Sequence, residues 1–229
     1  MTVVAILGMH RSGTSCLAGS LEAWGLPLGE VKTSSEFNKL GNRENPHIFR
    51  LHEAVLADHG GSWQNPLTVT QWRAERLDAL RAIIEKYPLG LWGFKDPRTL
   101  FLLDGWYRVI PRSRFQYVAT FRHPMAVARS LNARNGMSID QGLELWSSYN
   151  QRLLSLMEDR KIHLVDFDVP GSTYSRRIAA ICQSLDLNLE EPEVPFRDAA
   201  LISHHQTTCE ARLGPSVVGT YEKLLMHAQ

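Results

Sequence analysis

Residues 3–15 of this chain read VVAILGMHRSGTS, an apolar run that leads into a polar loop bounded by glycines. The run at residues 3–7 is continuous and rich in β-branched side chains, which is typical of a strand buried on both faces. Residues 14–24 then show the apolar spacing of a helix. Gly8 and Gly13 allow the backbone to approach a ligand closely, and a helix N-terminus offers unpaired N–H groups. The stretch therefore predicts an anion-binding loop between a strand and a helix.

The rest of the chain repeats the alternation of strands and helices. Further strands are predicted at residues 91–95, 115–121 and 162–167. Helices are predicted at residues 46–58, 71–87, 99–107, 139–158, 174–185 and 216–227, with another from Pro124 and with Thr70 as the cap of the second. This pattern predicts an α/β protein with a P-loop-type three-layer fold. A central parallel sheet of four to five strands is flanked by helices, in one domain over residues 1–229.

Composition limits the class of function. The chain has 229 residues, of which 44% are hydrophobic, and a formal net charge of +1, which argues against a nucleic-acid-binding protein. No apolar run approaches the roughly 20 residues of a membrane span. Three cysteines without metal-ligand spacing indicate a reducing compartment, and a cytoplasmic location is predicted. Between Asp104 and Asp140 there is no acidic residue but six arginines, which favours a compact anion site.

The loop at residues 8–15 matches the nucleotide-binding pattern G-x-x-x-x-G-K-[ST] except at one position. Thr14 stands where that pattern has its lysine, and the only cation in the loop is Arg11. The lysine normally neutralises the terminal phosphates of a nucleoside triphosphate. The departure therefore favours a donor that has no triphosphate. A glycine-rich turn that binds no ligand is the alternative for this motif.

Two further motifs follow predicted strands. Arg122 ends one strand, and Ser130 and Arg134 lie four residues apart on the next helix, so that all three side chains are able to converge on one oxyanion. Lys95 ends another strand, where a lysine can stabilise charge that develops on a leaving oxygen. Asp96 is able to orient this lysine or to cap the following helix. For both motifs the alternative is an ordinary charged surface.

On these residues the chain resembles the sulfotransferases that use 3′-phosphoadenosine 5′-phosphosulfate. Residues 11–15 are similar to the family's 5′-phosphosulfate loop, Lys/Arg-Ser-Gly-Thr-[ST], in the arginine form of the tyrosylprotein branch and its bacterial relatives. The spacing from Arg122 to Ser130 is that of the 3′-phosphate site, and Lys95 matches the branch's catalytic lysine. The resemblance implies that the donor is bound by Arg11, Ser12, Gly13, Thr14, Ser15, Arg122, Ser130 and Arg134.

The resemblance also implies the reaction, an in-line transfer of a sulfuryl group to a hydroxyl or amine. The acceptor is expected to be a small molecule, a carbohydrate or a lipid, and no metal is required. Arg11 and Lys95 are then catalytic, and the general base is expected to be Glu44, with Glu30 as the nearest alternative. Two other interpretations stay open, a P-loop kinase for small molecules and a nucleotide-binding module without catalysis. In many relatives a basic segment near the C-terminus covers the 3′-phosphate, and the candidates for it here are residues 212–214 and Lys223.

Overall fold

The computed structural model describes residues 1–34, 41–187, 192, 196–197 and 213–228. Its strands are β1 (Thr2–Leu7), β2 (Leu91–Lys95), β3 (Phe115–Phe121) and β4 (Ile162–Asp166). Its helices are α1 (Thr14–Ala23), α2 (Pro46–Asp58), α3 (Ala74–Ile84), α4 (Thr99–Tyr107), α5 (Pro124–Asn135), α6 (Ile139–Met157), α7 (Gly171–Ser184) and α8 (Pro215–His227). The predicted alternation of strands and helices is confirmed.

The four strands form one parallel sheet in the order β2-β1-β3-β4. Ile6 lies beside Lys95, and Phe121 lies beside Asp166, so the strands end together along one edge. The loop after β1 leaves the sheet at this same edge. Ligands of such sheets bind at the carboxyl ends of the strands, and all three predicted motifs lie at this end.

Two hydrophobic cores cover the two faces of the sheet. Side chains of β1 alternate between them, with Val3, Ala5 and Leu7 in the larger core and Val4 and Ile6 in the smaller one. The larger core also contains residues of α2 to α6 and α8, whereas α1 and α7 pack on the opposite face. This arrangement confirms the predicted three-layer α/β fold. Within the described residues the sheet has four strands.

The helix predicted at residues 71–87 is shorter, and the prediction of Thr70 as its cap is wrong. Helix α3 begins at Ala74, and Arg73 precedes it without a side-chain cap. The Val69 amide donates a hydrogen bond of 2.9 Å to the Phe101 carbonyl, and the Trp72 indole is buried against Gly105. These tertiary contacts keep residues 69–73 out of the helix, against the local preference for a helix. None of the described helices is long and apolar enough to cross a membrane.

Candidate active site

The loop between β1 and α1 is tightly packed against the neighbouring strands. A Cβ atom on Gly8, where φ is 134°, would lie 2.4 Å from the Thr120 carbonyl oxygen of β3. Arg11 has a φ of 66°, an unusual backbone conformation for a residue other than glycine. The Ser12 hydroxyl is buried and has no hydrogen-bond partner among the described residues. The loop thus contains a buried hydroxyl and a strained arginine, as expected of a ligand-binding segment.

Gly13 is required where the loop meets the end of β4. Its φ is 85°, and a Cβ atom there would lie 2.1 Å from the Phe167 ring. We expect Gly13→Ala to destabilise the protein by about 1–3 kcal/mol, because it adds both a backbone penalty and a clash. Chemical denaturation measures this loss. Gly136→Ala is the matched control, because Gly136 has a φ of 72° and open space around it. Equal losses in the two variants would contradict the role given to Phe167.

The three predicted arginines come together around the loop. Arg11 donates a hydrogen bond of 2.8 Å from Nε to the Ser130 hydroxyl, across 119 residues of sequence. Burial, and then the positive charges of Arg134 and Arg122, lower the pKa of Arg11. Side chains from the loop, from the end of β3 and from α5 therefore share one region. Such a concentration of guanidinium groups suits a ligand with more than one anionic group.

Arg122 is held by a carboxylate that the motifs did not reveal. Its Nε donates to Asp168 Oδ1 at 3.0 Å, and the backbone N–H of His123 donates to Asp168 Oδ2 at 2.8 Å. The Arg122 guanidinium also lies 5.4 Å from the centre of the Phe167 ring. Asp168 follows β4, which pairs with β3. An acidic residue just beyond a neighbouring parallel strand was the signal that was missed.

Lys95 and Glu44 form a buried ion pair. Their Nζ and Oε1 atoms are 2.7 Å apart, and the Lys95 residue is only 4% exposed. Lys95 Nζ also donates to the Asn42 carbonyl at 3.1 Å and to the Ser15 hydroxyl at 3.4 Å. Ser15 in turn donates to the same Asn42 carbonyl at 3.1 Å. Lys95 therefore connects the first turn of α1 to residues 42–44.

The segment that carries Glu44 is anchored on both sides. The Lys32 amide donates to the Glu44 carbonyl at 3.3 Å, and Arg43 forms a 3.1 Å ion pair with Glu22. Asn45 caps α2 by accepting hydrogen bonds from the amides of residues 47 and 48, and its amide group donates to the Tyr87 hydroxyl at 3.0 Å. These contacts hold the backbone on both sides of Glu44 in place.

Glu30, the alternative base, lies elsewhere. It is exposed, and it makes no hydrogen bond or ion pair with another described residue. The preceding Gly29 packs against Tyr87, where a Cβ atom would lie 2.7 Å from the ring. Of the two candidate glutamates, only Glu44 contacts Lys95. The other loop glutamate, Glu36, and the C-terminal candidate Arg212 lie outside the described residues.

Asp96 neither orients Lys95 nor caps α4 through its side chain. Its Oδ1 accepts hydrogen bonds from the backbone N–H of Arg98 at 2.8 Å and from the Arg98 guanidinium at 3.0 Å. Its Oδ2 faces His52 Nδ1 at 3.5 Å, and His52 Nε2 accepts a hydrogen bond from Trp106. Burial opposes the charge of Asp96, but the Arg98 charge, the His52 ring and the Arg98 backbone N–H together outweigh it and lower the pKa of the carboxyl. This buried network supports the turn that follows Lys95.

An aromatic wall, formed by His10, Trp63 and Tyr149, lies on another side of the loop. The His10 ring is 4.8 Å from Trp63 and 5.9 Å from Tyr149, between ring centres. Its Nε2 is buried without a hydrogen-bond partner among the described residues. Burial, and then the positive charges of Arg98 and Lys95, lower the pKa of His10 well below its usual range. A neutral His10 imidazole therefore packs against the Trp63 and Tyr149 rings, within electrostatic reach of Lys95.

Comparison with known proteins identifies the architecture. No protein-family model matches the chain, and no curated protein matches its sequence. The sulfotransferase domain of the Synechococcus PCC 7002 olefin synthase superposes with a TM-score of 0.65 and 18% identity, over 98% of this chain and 94% of that one. A sulfotransferase domain from the curacin biosynthetic pathway gives 0.64 and 14%, over 98% and 97%. The chain has the sulfotransferase fold.

At these identities the likeness concerns the fold, and it agrees with the family resemblance read from the motifs. The tyrosylprotein branch is not singled out and stays a prediction. The sulfotransferase fold brings the loop, Lys95 and Arg122 to the same edge of the sheet. The described residues contain no group of three His, Cys, Asp or Glu side chains suited to a metal ion.

Proposed function

We propose that the protein is a sulfotransferase that moves a sulfuryl group from 3′-phosphoadenosine 5′-phosphosulfate to a hydroxyl or amine acceptor. The observation that carries the proposal is the convergence of Arg11, Arg122 and Arg134 at the edge of the sheet where the strand of the buried Lys95 also ends, in a sulfotransferase fold. Two anionic groups on one ligand match this distribution of charge. A triphosphate does not explain it as well, because the loop lacks the lysine that cradles the terminal phosphates.

The residues of the loop fit the donor. We assign the 5′-phosphosulfate to Arg11 and residues 12–15, because the Ser12 hydroxyl is buried without a described partner and α1 begins without a side-chain cap. We assign the 3′-phosphate to Arg122, Ser130 and Arg134. The hydrogen bond from Arg11 to Ser130 links the two groups of residues.

The chemistry follows from Lys95 and Glu44. In the proposed step the acceptor oxygen or nitrogen forms a bond to sulfur while the bond from sulfur to the bridging oxygen breaks. Lys95 stabilises the charge that develops on the bridging oxygen. Glu44 takes the proton of the acceptor, and adenosine 3′,5′-bisphosphate leaves. A small molecule, carbohydrate or lipid acceptor would lie against the aromatic wall, where the charge of Lys95 also acts on His10. A cytoplasmic location stays a prediction.

Thermal unfolding tests the donor assignment and separates the proposal from a P-loop kinase. Adenosine 3′,5′-bisphosphate at a hundred times its dissociation constant adds about 2.7 kcal/mol, which raises Tm by about 5–10 °C for a chain of this size. Adenosine 5′-monophosphate and ATP with magnesium are the comparison ligands. We expect a clear shift with the bisphosphate alone. A shift only with ATP and magnesium would reject the sulfotransferase assignment in favour of the kinase.

A further inference from the structure

The ion pair between Lys95 and Glu44 occupies groups that catalysis needs elsewhere. Under the proposed function, Lys95 stabilises the leaving oxygen of the donor and Glu44 receives the proton of the acceptor. In this structure the Lys95 ammonium instead donates to Glu44 at 2.7 Å, to the Asn42 carbonyl at 3.1 Å and to Ser15 at 3.4 Å. An ammonium group has three N–H donors, so these contacts account for all of them.

The same short segment also engages the donor loop. The Ser15 hydroxyl, which we assign to the 5′-phosphosulfate, donates to the Asn42 carbonyl at 3.1 Å. Residues 42–44 therefore engage two of the polar side chains assigned to donor binding, Ser15 and Lys95. A bound donor and this segment compete for the same hydrogen bonds.

We propose that Glu44 holds Lys95 until the donor binds, and that the donor, by drawing Lys95 away, releases Glu44 to act as the base. The inference rests on the proposed function and adds an order of events to it. The donor binds first, and Glu44 activates the acceptor afterwards. The physical reason is the geometry of the pair. The Lys95 ammonium occupies Glu44 Oε1 at 2.7 Å, so this oxygen is not available to an acceptor. The anionic donor supplies Lys95 with another partner, and Glu44 Oε1 is then open to the proton of the acceptor.

The inference predicts opposite effects of one substitution on binding and on turnover. Glu44→Gln keeps the size of the side chain but removes its charge, so Lys95 is held less strongly. We expect adenosine 3′,5′-bisphosphate to bind about tenfold more tightly, because less of the ion pair has to be broken. Sulfuryl transfer from the natural donor should fall by about 100-fold or more, because the base is lost. Isothermal titration calorimetry and turnover with 2-naphthol as the acceptor probe measure the two effects.

Two further variants distinguish this coupling from simple repulsion between Glu44 and an anionic ligand. In a Lys95→Met background there is no ammonium to release, so adding Glu44→Gln should leave the affinity for the bisphosphate within about twofold. If repulsion between Glu44 and the ligand were the cause, Glu44→Gln would tighten binding in this background as well. Glu22→Gln is the matched control. It removes a carboxylate that binds Arg43 of the same segment at 3.1 Å without contacting Lys95, and it should leave the affinity unchanged.

Each outcome decides between the hypotheses. If the wild-type protein does not bind the bisphosphate, the proposed function fails, and the inference fails with it. If the wild type binds but Glu44→Gln binds equally or more weakly, only the inference is overturned. Tightening that persists in the Lys95→Met background also overturns it, because repulsion then explains the effect. Tightening in the wild-type background alone supports it, and thermal unfolding confirms that each variant is folded.

Discussion

Replacing Lys95 by methionine should lower the rate of sulfuryl transfer by about 10²- to 10³-fold, the range for loss of one group that stabilises transition-state charge. Methionine preserves most of the length and apolar volume of the lysine side chain, which is almost fully buried. The affinity for adenosine 3′,5′-bisphosphate should change much less. The variant loses the contact to the donor, but it also loses the contact to Glu44 that the donor has to displace. Turnover kinetics and calorimetry separate the two effects.

Lys86→Met is the control for this experiment, because Lys86 is an exposed lysine beyond the end of α3. It should be active at the wild-type level. Lys95→Met also leaves the buried Glu44 carboxylate without its partner, so stability has to be measured alongside activity. Wild-type turnover in a folded Lys95→Met protein would remove Lys95 from the proposed mechanism. A rate that falls only in proportion to the folded fraction would give Lys95 a structural role.

Replacing Arg122 by alanine should weaken binding of adenosine 3′,5′-bisphosphate by about 10- to 100-fold, since hydrogen bonds to charged groups contribute about 1.5–3 kcal/mol. Binding of adenosine 5′-monophosphate should be nearly unchanged, because Arg122 is assigned to the 3′-phosphate. Arg11→Ala should weaken both ligands, because Arg11 is assigned to the 5′ side. Calorimetry with each ligand measures the preference for the bisphosphate.

Arg112→Ala is the matched control for the arginine variants. Arg112 is exposed and pairs with Asp159 at 2.7 Å, in the 3₁₀ turn before the start of β3 rather than at its carboxyl end. Its replacement should affect neither ligand. If Arg122→Ala weakened the monophosphate as much as the bisphosphate, the assignment of Arg122 to the 3′-phosphate would be wrong. A collapse of the preference for the bisphosphate would support it.

Predictions from the sequence succeeded where the signal is local. The strand at β1, the two glycines of the loop and the start of α1 follow one another within residues 2–14, and each has a backbone reason. Because parallel strands end at a common edge, the same reasoning brings Lys95 and Arg122 to one side of the sheet. The start of α3 shows the limit, since the buried indole of Trp72 packs against Gly105 and the residues before Ala74 stay outside the helix.

The sequence established the fold class and the positions of the cationic groups, because short-range periodicity and strand ends determine both. The tertiary structure alone revealed their partners. Glu44 meets Lys95 across 51 residues, Ser130 meets Arg11 across 119, and Asp168 meets Arg122 across 46. No spacing rule reaches over such distances. These pairings depend on how helices and loops from separate parts of the chain pack at the edge of the sheet. A buried charge there is costly unless it has a hydrogen-bonded partner.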